Sequence, residues 1–173
     1  MEPIRQIDDI LQVLNDCGVK YILIGGVNFL LHHQPIATFD VDFWIEDSDE
    51  NRTRCHTALA ALGASWGPDD ESWREVKDLP ANWLSRQGVF CLTSRHGWID
   101  LFRAVKGLGS WSDSRQRART GVTANGTAYV GLSDEDMLQC QLALPEEERK
   151  LDRVRVLNAA LRRNRGDSPN DQQ

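Results

Sequence analysis

The sequence lacks any long hydrophobic run. Among its 173 residues, no stretch approaches the roughly 20 apolar residues that a membrane-spanning helix needs. The first residues, Met-Glu-Pro-Ile-Arg, also lack the basic-then-apolar pattern of a secretion signal. We therefore expect a cytoplasmic protein that does not associate with a membrane.

Cysteines are few and basic residues are outnumbered, and each shortage excludes a class of protein. The four cysteines form no Cys-x-x-Cys pair, so neither a zinc site nor a disulfide-linked scaffold is expected. With 20 Lys and Arg against 26 Asp and Glu, the formal net charge is −6. Such a chain is unsuited to coating nucleic acid by charge alone, although a local basic surface would still suit it.

Hydrophobic periodicity predicts alternating helices and strands. Apolar residues at helical spacing before Gly18 indicate a first helix, and the apolar run Tyr21–Ile24 indicates a buried strand. The later predicted elements are a helix at 27–33, a strand at 38–45, a helix at 49–62, an insertion-like loop at 64–87, hairpins at 89–102 and 122–130, and two C-terminal helices. We therefore predict an α/β fold of the α+β kind, with a mixed β-sheet flanked by helices.

Three segments are expected along the chain. These are a core over residues 1–132, a pair of C-terminal helices packed on it over 133–163, and a disordered polar tail over 164–173. Pro145 suits the first turn of the last helix. The predicted apolar stripe of that helix consists of Leu151, Val154, Leu157 and Leu161. Its basic face is expected to lie in solvent, or alternatively to attract a triphosphate or a polynucleotide; it consists of Arg149, Lys150, Arg153, Arg155, Arg162 and Arg163.

Two features that carry chemistry lie close together in the sequence. A predicted strand ends in Gly25-Gly26 before a helix, and the next strand carries Asp40 and Asp42. Residues i and i+2 of a strand project to one face, so these carboxylates repel each other unless a divalent cation neutralises them. Mg²⁺ takes one or two carboxylates together with phosphate oxygens, and a glycine turn lets backbone N–H groups approach an anion. The combination predicts a nucleoside triphosphate site with bound Mg²⁺.

Asp100 is the best candidate for a third carboxylate. It is the only acidic residue between Asp78 and Asp113. It lies within an apolar predicted strand, where a charged side chain is costly unless it is paired or binds a metal. A third carboxylate would complete a two-metal site. The alternative is that Asp100 pairs with a cation elsewhere in the sheet. Among the tryptophans, Trp44 and Trp98 are candidates for stacking on a base.

The segment GGVNFLLHHQPIATFDVDFWI resembles the glycine-pair and Asp-x-Asp signature of the DNA polymerase beta-like nucleotidyltransferase superfamily. It is most similar to the small bacterial branch, which includes abortive-infection and toxin–antitoxin nucleotidyltransferases. The resemblance implies a nucleotidyltransferase-like core that transfers a nucleoside monophosphate from a nucleoside triphosphate to a hydroxyl group and releases pyrophosphate. It implies Mg²⁺, with Mn²⁺ as the alternative. The implied acceptors are a tRNA end, a protein or a small molecule, and a cognate antitoxin is an implied partner.

The resemblance also implies roles for individual residues. Asp40, Asp42 and Asp100 would be the catalytic metal ligands, and Asp100 would also orient or deprotonate the acceptor hydroxyl. Gly25, Gly26 and Thr38 would contact the nucleotide, with a purely structural role as the alternative for Thr38.

Two positions depart from the family pattern. Many small bacterial members carry Arg where this chain has Ile36, and members often carry Ser where it has Gly26. Arg103, Lys106 and Lys150 are candidate substitutes for the absent arginine. The departure leaves open a catalytically silent member of the fold that acts as a binding module or a partner protein. A metal-dependent phosphohydrolase is a third alternative.

Overall fold

A mixed eight-stranded sheet organises the chain between residues 3 and 166, which are the residues that the structure, a computed structural model, describes; side chains are described from residue 6. The strand order is β4-β3-β5-β6-β2-β1-β8-β7. Adjacent strands are antiparallel except for the parallel pairs β1–β8 and β2–β6. The strands are β1 (Tyr21–Ile24), β2 (Asp40–Ile45), β3 (Ser65–Trp66), β4 (Arg74–Glu75), β5 (Val89–Ser94), β6 (Gly97–Phe102), β7 (Arg119–Val122) and β8 (Ala128–Gly131).

Six α-helices flank the sheet within these described residues. Serine side chains cap the first turns of three of them: Ser48, Ser110 and Ser133 each accept a hydrogen bond from a backbone N–H three residues later. Over residues 3–166, none of the helices combines the length and the apolar character that crossing a bilayer requires. The helices are α1 (Pro3–Asp16), α2 (Gly25–His32), α3 (Asp49–Ala61), α4 (Trp111–Arg117), α5 (Asp134–Leu142) and α6 (Leu151–Arg165).

Residues that alternate between the two faces of the sheet build two hydrophobic clusters. The larger cluster joins one face to α1 and α3, and includes Phe43 and Leu59. The smaller one joins the opposite face to α5 and α6, and includes Trp44 and Leu157. Because side chains alternate along β2, Asp42 projects to the same face as Trp44. The C-terminal helices therefore cover the sheet on the side where the candidate metal ligands lie.

A buried carboxylate ties α5 to the core. Asp134, in the first turn of α5, accepts a hydrogen bond from His33 Nε2 at 2.7 Å, and Arg119 Nη2 donates to it at 2.5 Å. Its side chain is almost completely buried, so these partners supply the compensation that a buried charge requires. The contact fixes the start of the C-terminal helical pair against the end of α2.

The structure confirms the predicted fold class and both hairpins, and it corrects several element boundaries. The Asn125-Gly126 turn joins β7 to β8, with Gly126 at φ +91°. Pro145 begins a 3₁₀ turn rather than the last helix, which starts six residues later at Leu151. Helix α4 was not predicted.

The prediction of a disordered tail is wrong at its start and otherwise lies outside the described residues. Helix α6 continues through Asn164 and Arg165, and Gly166 ends it at φ +77°. The remaining seven residues of the predicted tail, 167–173, are not among those that the structure describes.

Candidate active site

Three carboxylates converge on the face of the sheet that α5 and α6 partly cover. Asp40 and Asp42 lie on β2, and the parallel pairing of β2 with β6 puts Asp42 directly opposite Asp100. One oxygen from each of the three carboxylates lies within 4.8 Å of the others. The strand register thus brings together the three residues that the sequence proposed as metal ligands.

The glycine pair forms the wall next to Asp42. Gly25 has φ +65°, and a Cβ at this position would overlap the Asp42 carboxylate. The backbone N–H of Gly26 donates a hydrogen bond to that same carboxylate. Thr38 lies on the other side of Gly26: a Cβ on Gly26 would come within 2.7 Å of Thr38 Oγ1, which donates to the Asp40 carbonyl at 3.3 Å. Both positions therefore need glycine, because the Asp42 carboxylate and the Thr38 hydroxyl occupy the space that a Cβ would fill.

We expect Gly25→Ala to reduce the free energy of unfolding by at least about 1–2 kcal/mol, the cost of the left-handed conformation for an L-residue. It should also abolish Mg²⁺–ATP binding, since the new methyl group displaces the Asp42 carboxylate. Urea denaturation and calorimetric titration measure the two effects. Gly88→Ala is the matched control, because a Cβ there meets nothing within 4 Å. Equal effects of the two substitutions would contradict the role assigned to the Gly25 bend.

The carboxylate cluster is electrostatically strained without a cation. Burial, followed by the charges of Asp40 and Asp100, raises the pKa of Asp42 to about 7. Burial also raises the pKa of Asp100, and the Asp40 charge adds to the effect. A set of three oxygen donors that repel one another in this way suits a hard divalent ion such as Mg²⁺ or Mn²⁺. The residues present therefore fit the predicted metal.

Arg153 is a site residue that the sequence did not distinguish from the other basic residues of α6, whose face was expected to lie in solvent or alternatively to attract a triphosphate or a polynucleotide. Arg153 is half-buried, and its guanidinium lies over the Phe29 ring, 5.6 Å from the centroid. Burial lowers the pKa of Arg153, and the negative charges of Asp42 and Asp40 oppose that decrease. Leu151, predicted to be in the apolar stripe, is 63% exposed instead. Arg153 precedes the buried Leu157 by one helical turn, and that spacing was the signal for its position.

Arg153, whose Nη2 would lie 3.3 Å from a Cβ on Gly26, lines an open cleft that we call the basic cleft. Its volume is about 260 Å³, and its walls are Phe29, Gln34, Ile36, Ala37 and residues 150–153 at the start of α6. Lys150, one of the proposed substitutes for an arginine at position 36, is among them. Arg103 is not, because its guanidinium pairs with Asp47 at 2.8 Å. Arg153 therefore brings a cation to the same cleft that Ile36 lines.

Trp44 and Trp98 have different environments. Trp44 is 2% exposed, and its indole N–H donates to the Arg103 carbonyl at 3.2 Å, so its proposed base-stacking role is wrong. Trp98 pairs with Asp40 across β2 and β6 and is 54% exposed.

The fold is similar to that of solved nucleotidyltransferases. The antibiotic-resistance factor ANT(2″)-Ia, in complex with adenylyl-2″-tobramycin, matches with a TM-score of 0.58 and 14% identity, over 94% of this chain and 91% of that one. The lincosamide antibiotic adenylyltransferase LnuA, lincomycin-bound, matches with a TM-score of 0.53 and 16% identity, over 90% and 96%. A Thermotoga maritima protein assigned as a nucleotidyltransferase matches with a TM-score of 0.52 and 16% identity, over 95% and 92%.

No protein-family model matches the sequence, and no curated protein is significantly similar to it. The structural likeness, at 14–16% identity, shows that the chain has the nucleotidyltransferase fold. The superfamily resemblance is thus confirmed at the level of the fold. The abortive-infection and toxin–antitoxin branch, with its cognate antitoxin, stays a prediction.

Proposed function

We propose that this chain is a metal-dependent nucleotidyltransferase that moves a nucleoside monophosphate from a nucleoside triphosphate to a hydroxyl group. The observation that carries the proposal is the convergence of Asp40, Asp42 and Asp100 beside the Gly25 bend. The nucleotidyltransferase fold, shared with an antibiotic-resistance factor and an antibiotic adenylyltransferase, supports it.

Asp40, Asp42 and Asp100 would hold the divalent cation, for which Mg²⁺ is the first candidate and Mn²⁺ the second. Bound there, the cation would neutralise the charge of the triphosphate and polarise the phosphoryl oxygens. The raised pKa of Asp42 means that protons compete with the cation at this carboxylate, so binding should weaken as the pH falls below about 7.

The basic cleft would hold the triphosphate. Arg153 and Lys150 place two cations along one wall, where guanidinium and ammonium groups suit phosphate oxygens. The one carboxylate among the described lining residues, Asp152, lies 3.3 Å from Arg155. Gly26 contacts both parts of the site: a Cβ on it would lie 3.3 Å from Arg153 Nη2, and its N–H donates to the Asp42 carboxylate. Catalysis would then rest on positioning and on charge neutralisation at the transferred phosphorus.

Asp100 would act on the acceptor. Its carboxylate would accept the hydroxyl proton while the acceptor oxygen bonds to the α-phosphorus and the bond to the bridging oxygen of the leaving pyrophosphate breaks. Burial raises the pKa of Asp100, which makes this carboxylate a stronger proton acceptor than a free one.

The test is a transfer assay with α-³²P-labelled ATP, CTP, GTP and UTP and Mg²⁺, with tRNA, tobramycin or lincomycin as acceptor and a reaction without added acceptor to detect self-labelling. We expect label on an acceptor together with an equal amount of pyrophosphate, and loss of both in Asp40→Ala. Release of inorganic phosphate would identify a phosphohydrolase instead. If calorimetry detects no binding of any Mg²⁺–triphosphate at millimolar concentration, the chain is a silent binding module.

The silent alternative was motivated by Ile36, which stands where relatives carry arginine. Arg153 supplies a guanidinium within the same cleft that Ile36 lines, so the site has an arginine although position 36 does not. We therefore favour the enzyme. A cytoplasmic location is part of the same proposal, since its nucleotide substrates are found there.

A further inference from the structure

A second cavity lies on the other side of the segment that links α2 to β2. Its volume is about 290 Å³, and Asp40 of the carboxylate cluster forms part of its wall. Two aromatic side chains border it where β2 and β6 begin: Phe39 is 85% exposed and Trp98 is 54% exposed. We call it the aromatic cavity. Ligand pockets are concave and lined mainly by hydrophobic and aromatic side chains, so two exposed aromatic residues at the rim of a cavity are typical of a binding site.

Ile36 and Ala37 separate the aromatic cavity from the basic cleft, because both residues line both spaces. The two spaces differ in chemistry. The basic cleft carries Arg153 and Lys150, whereas apolar side chains such as Val27 and Leu30 dominate the aromatic cavity. A triphosphate suits the basic side, which leaves the apolar side for the second substrate.

We infer that the aromatic cavity binds the apolar or planar part of a small hydroxyl-bearing acceptor that carries at most one positive charge. The inference rests on the proposed function and names the acceptor class for the same site. Stacking on Trp98 and Phe39 would hold the acceptor beside Asp40, with its hydroxyl directed toward the carboxylate cluster. Thr38, Gln6 and His96 supply the polar atoms of the wall.

The charges around the aromatic cavity disfavour a polycationic acceptor. Among the described side chains that line the cavity, Asp40 is the only carboxylate, and metal binding would occupy it. The Asp9 carboxylate is not among the lining residues, and it lies 3.1 Å from His96 Nδ1. A compound with several ammonium groups, such as tobramycin, would therefore lose hydration without gaining ion pairs. The volume of the cavity also suits part of a small molecule better than a folded RNA.

The test measures binding by ligand-observed NMR and calorimetry with two probe sets. Lincomycin and phenyl β-glucoside represent acceptors with an apolar face, and tobramycin and kanamycin represent polycations. We expect the first set to bind at millimolar concentration or below, and the second set to bind at least about tenfold more weakly. Trp98→Ala and Phe39→Ala should each weaken binding of the first set by about tenfold.

Trp73→Ala is the matched control, since Trp73 is 37% exposed and lies outside both spaces. The inference is wrong if polycations bind more tightly than the apolar-faced probes. It is also wrong if neither apolar-faced probe binds, or if both cavity variants bind like the control. Because both aromatic side chains are largely exposed, the variants should fold normally, which circular dichroism checks.

Calorimetry with Mg²⁺–ATP separates this inference from the proposed function. Both cavity variants should bind Mg²⁺–ATP like the wild type, because the basic cleft contains neither Trp98 nor Phe39. A wild-type protein that binds the apolar-faced probes but no Mg²⁺–triphosphate would overturn the proposed function and leave a small-molecule site. A protein that binds Mg²⁺–ATP but prefers tobramycin would overturn the acceptor class alone.

Discussion

Asp42→Asn should abolish nucleotidyl transfer and, at the same time, stabilise the metal-free protein. We expect transfer to fall by roughly a thousandfold or more, because the substitution removes a metal ligand at the centre of the carboxylate cluster. We expect the free energy of unfolding of the metal-free protein to rise by about 2 kcal/mol at pH 8. This is less than the full shift of the Asp42 pKa implies, because the cluster opens onto solvent and water screens its charges.

The stabilisation should depend on pH in a defined direction. Below about pH 4, Asp42 is protonated in the folded and the unfolded chain, so the variant and the wild type should be equally stable. Between its ordinary value of 3.8 and the raised value of about 7, only the unfolded chain releases this proton, and the wild type loses stability relative to the variant. Above that range the difference should be constant. Saturating Mg²⁺ should reverse the order of stability at pH 8.

Chemical denaturation in EDTA and in Mg²⁺, from pH 4 to pH 9, measures these differences. Asp70→Asn, at an exposed aspartate far from the cluster in sequence, is the control and should leave activity and stability unchanged. A metal-free Asp42→Asn protein that is less stable than the wild type at pH 8 would show that the cluster is not strained.

The carboxylate cluster could be predicted because each part of it has a strong local signal. Alternation along β2 fixes the common direction of Asp40 and Asp42, and Asp100 stands out as the one acidic residue in an apolar strand. The sequence did not show that β2 and β6 pair in parallel with Asp42 opposite Asp100. That pairing depends on contacts between segments almost sixty residues apart, which a local pattern does not contain.

The errors in the C-terminal region have a common cause in tertiary contacts. Pro145 is suited to a helix start, but the chain after it is held against the end of α5. Arg149 donates to the Leu144 carbonyl at 3.0 Å, and the Lys150 N–H donates to Gln141 Oε1 at 2.8 Å. Helix α6 consequently begins at Leu151, and the boundary was set by bonds that periodicity does not reveal.

Helix α4 was missed for a similar reason. It has only seven residues and little apolar periodicity, so its sequence carries a weak helical signal. Its first residue, Trp111, donates its indole N–H to the Trp44 carbonyl at 3.1 Å. A tertiary hydrogen bond and the Ser110 cap therefore stabilise a helix that propensity alone would not predict.

Arg153→Met should raise the KM for the Mg²⁺–nucleoside triphosphate by about ten- to a hundredfold, the range expected for loss of a charged hydrogen-bond donor to phosphate. Methionine retains an unbranched apolar side chain that can pack on Phe29, so the variant isolates the charge. Steady-state kinetics with varied triphosphate, at saturating Mg²⁺ and acceptor, measure the effect. Arg153→Lys should recover part of the loss, since it restores the charge without the planar fork.

Arg155→Met is the matched control on the same helix. The Arg155 side chain is 79% exposed and pairs only weakly with Asp152, at 3.3 Å on the solvent side, so its loss should leave the KM unchanged.

A second readout, the pH dependence of Mg²⁺ binding, distinguishes a binding role of Arg153 from a structural one. The Arg153 charge opposes the rise in the pKa of Asp42, so Arg153→Met should raise that pKa further and shift the pH midpoint of Mg²⁺ binding upward. A midpoint that stays fixed while KM rises would place Arg153 on the triphosphate alone. An unchanged KM would show that Arg153 does not bind the triphosphate. The absence of an arginine at position 36 would then again favour a silent binding module.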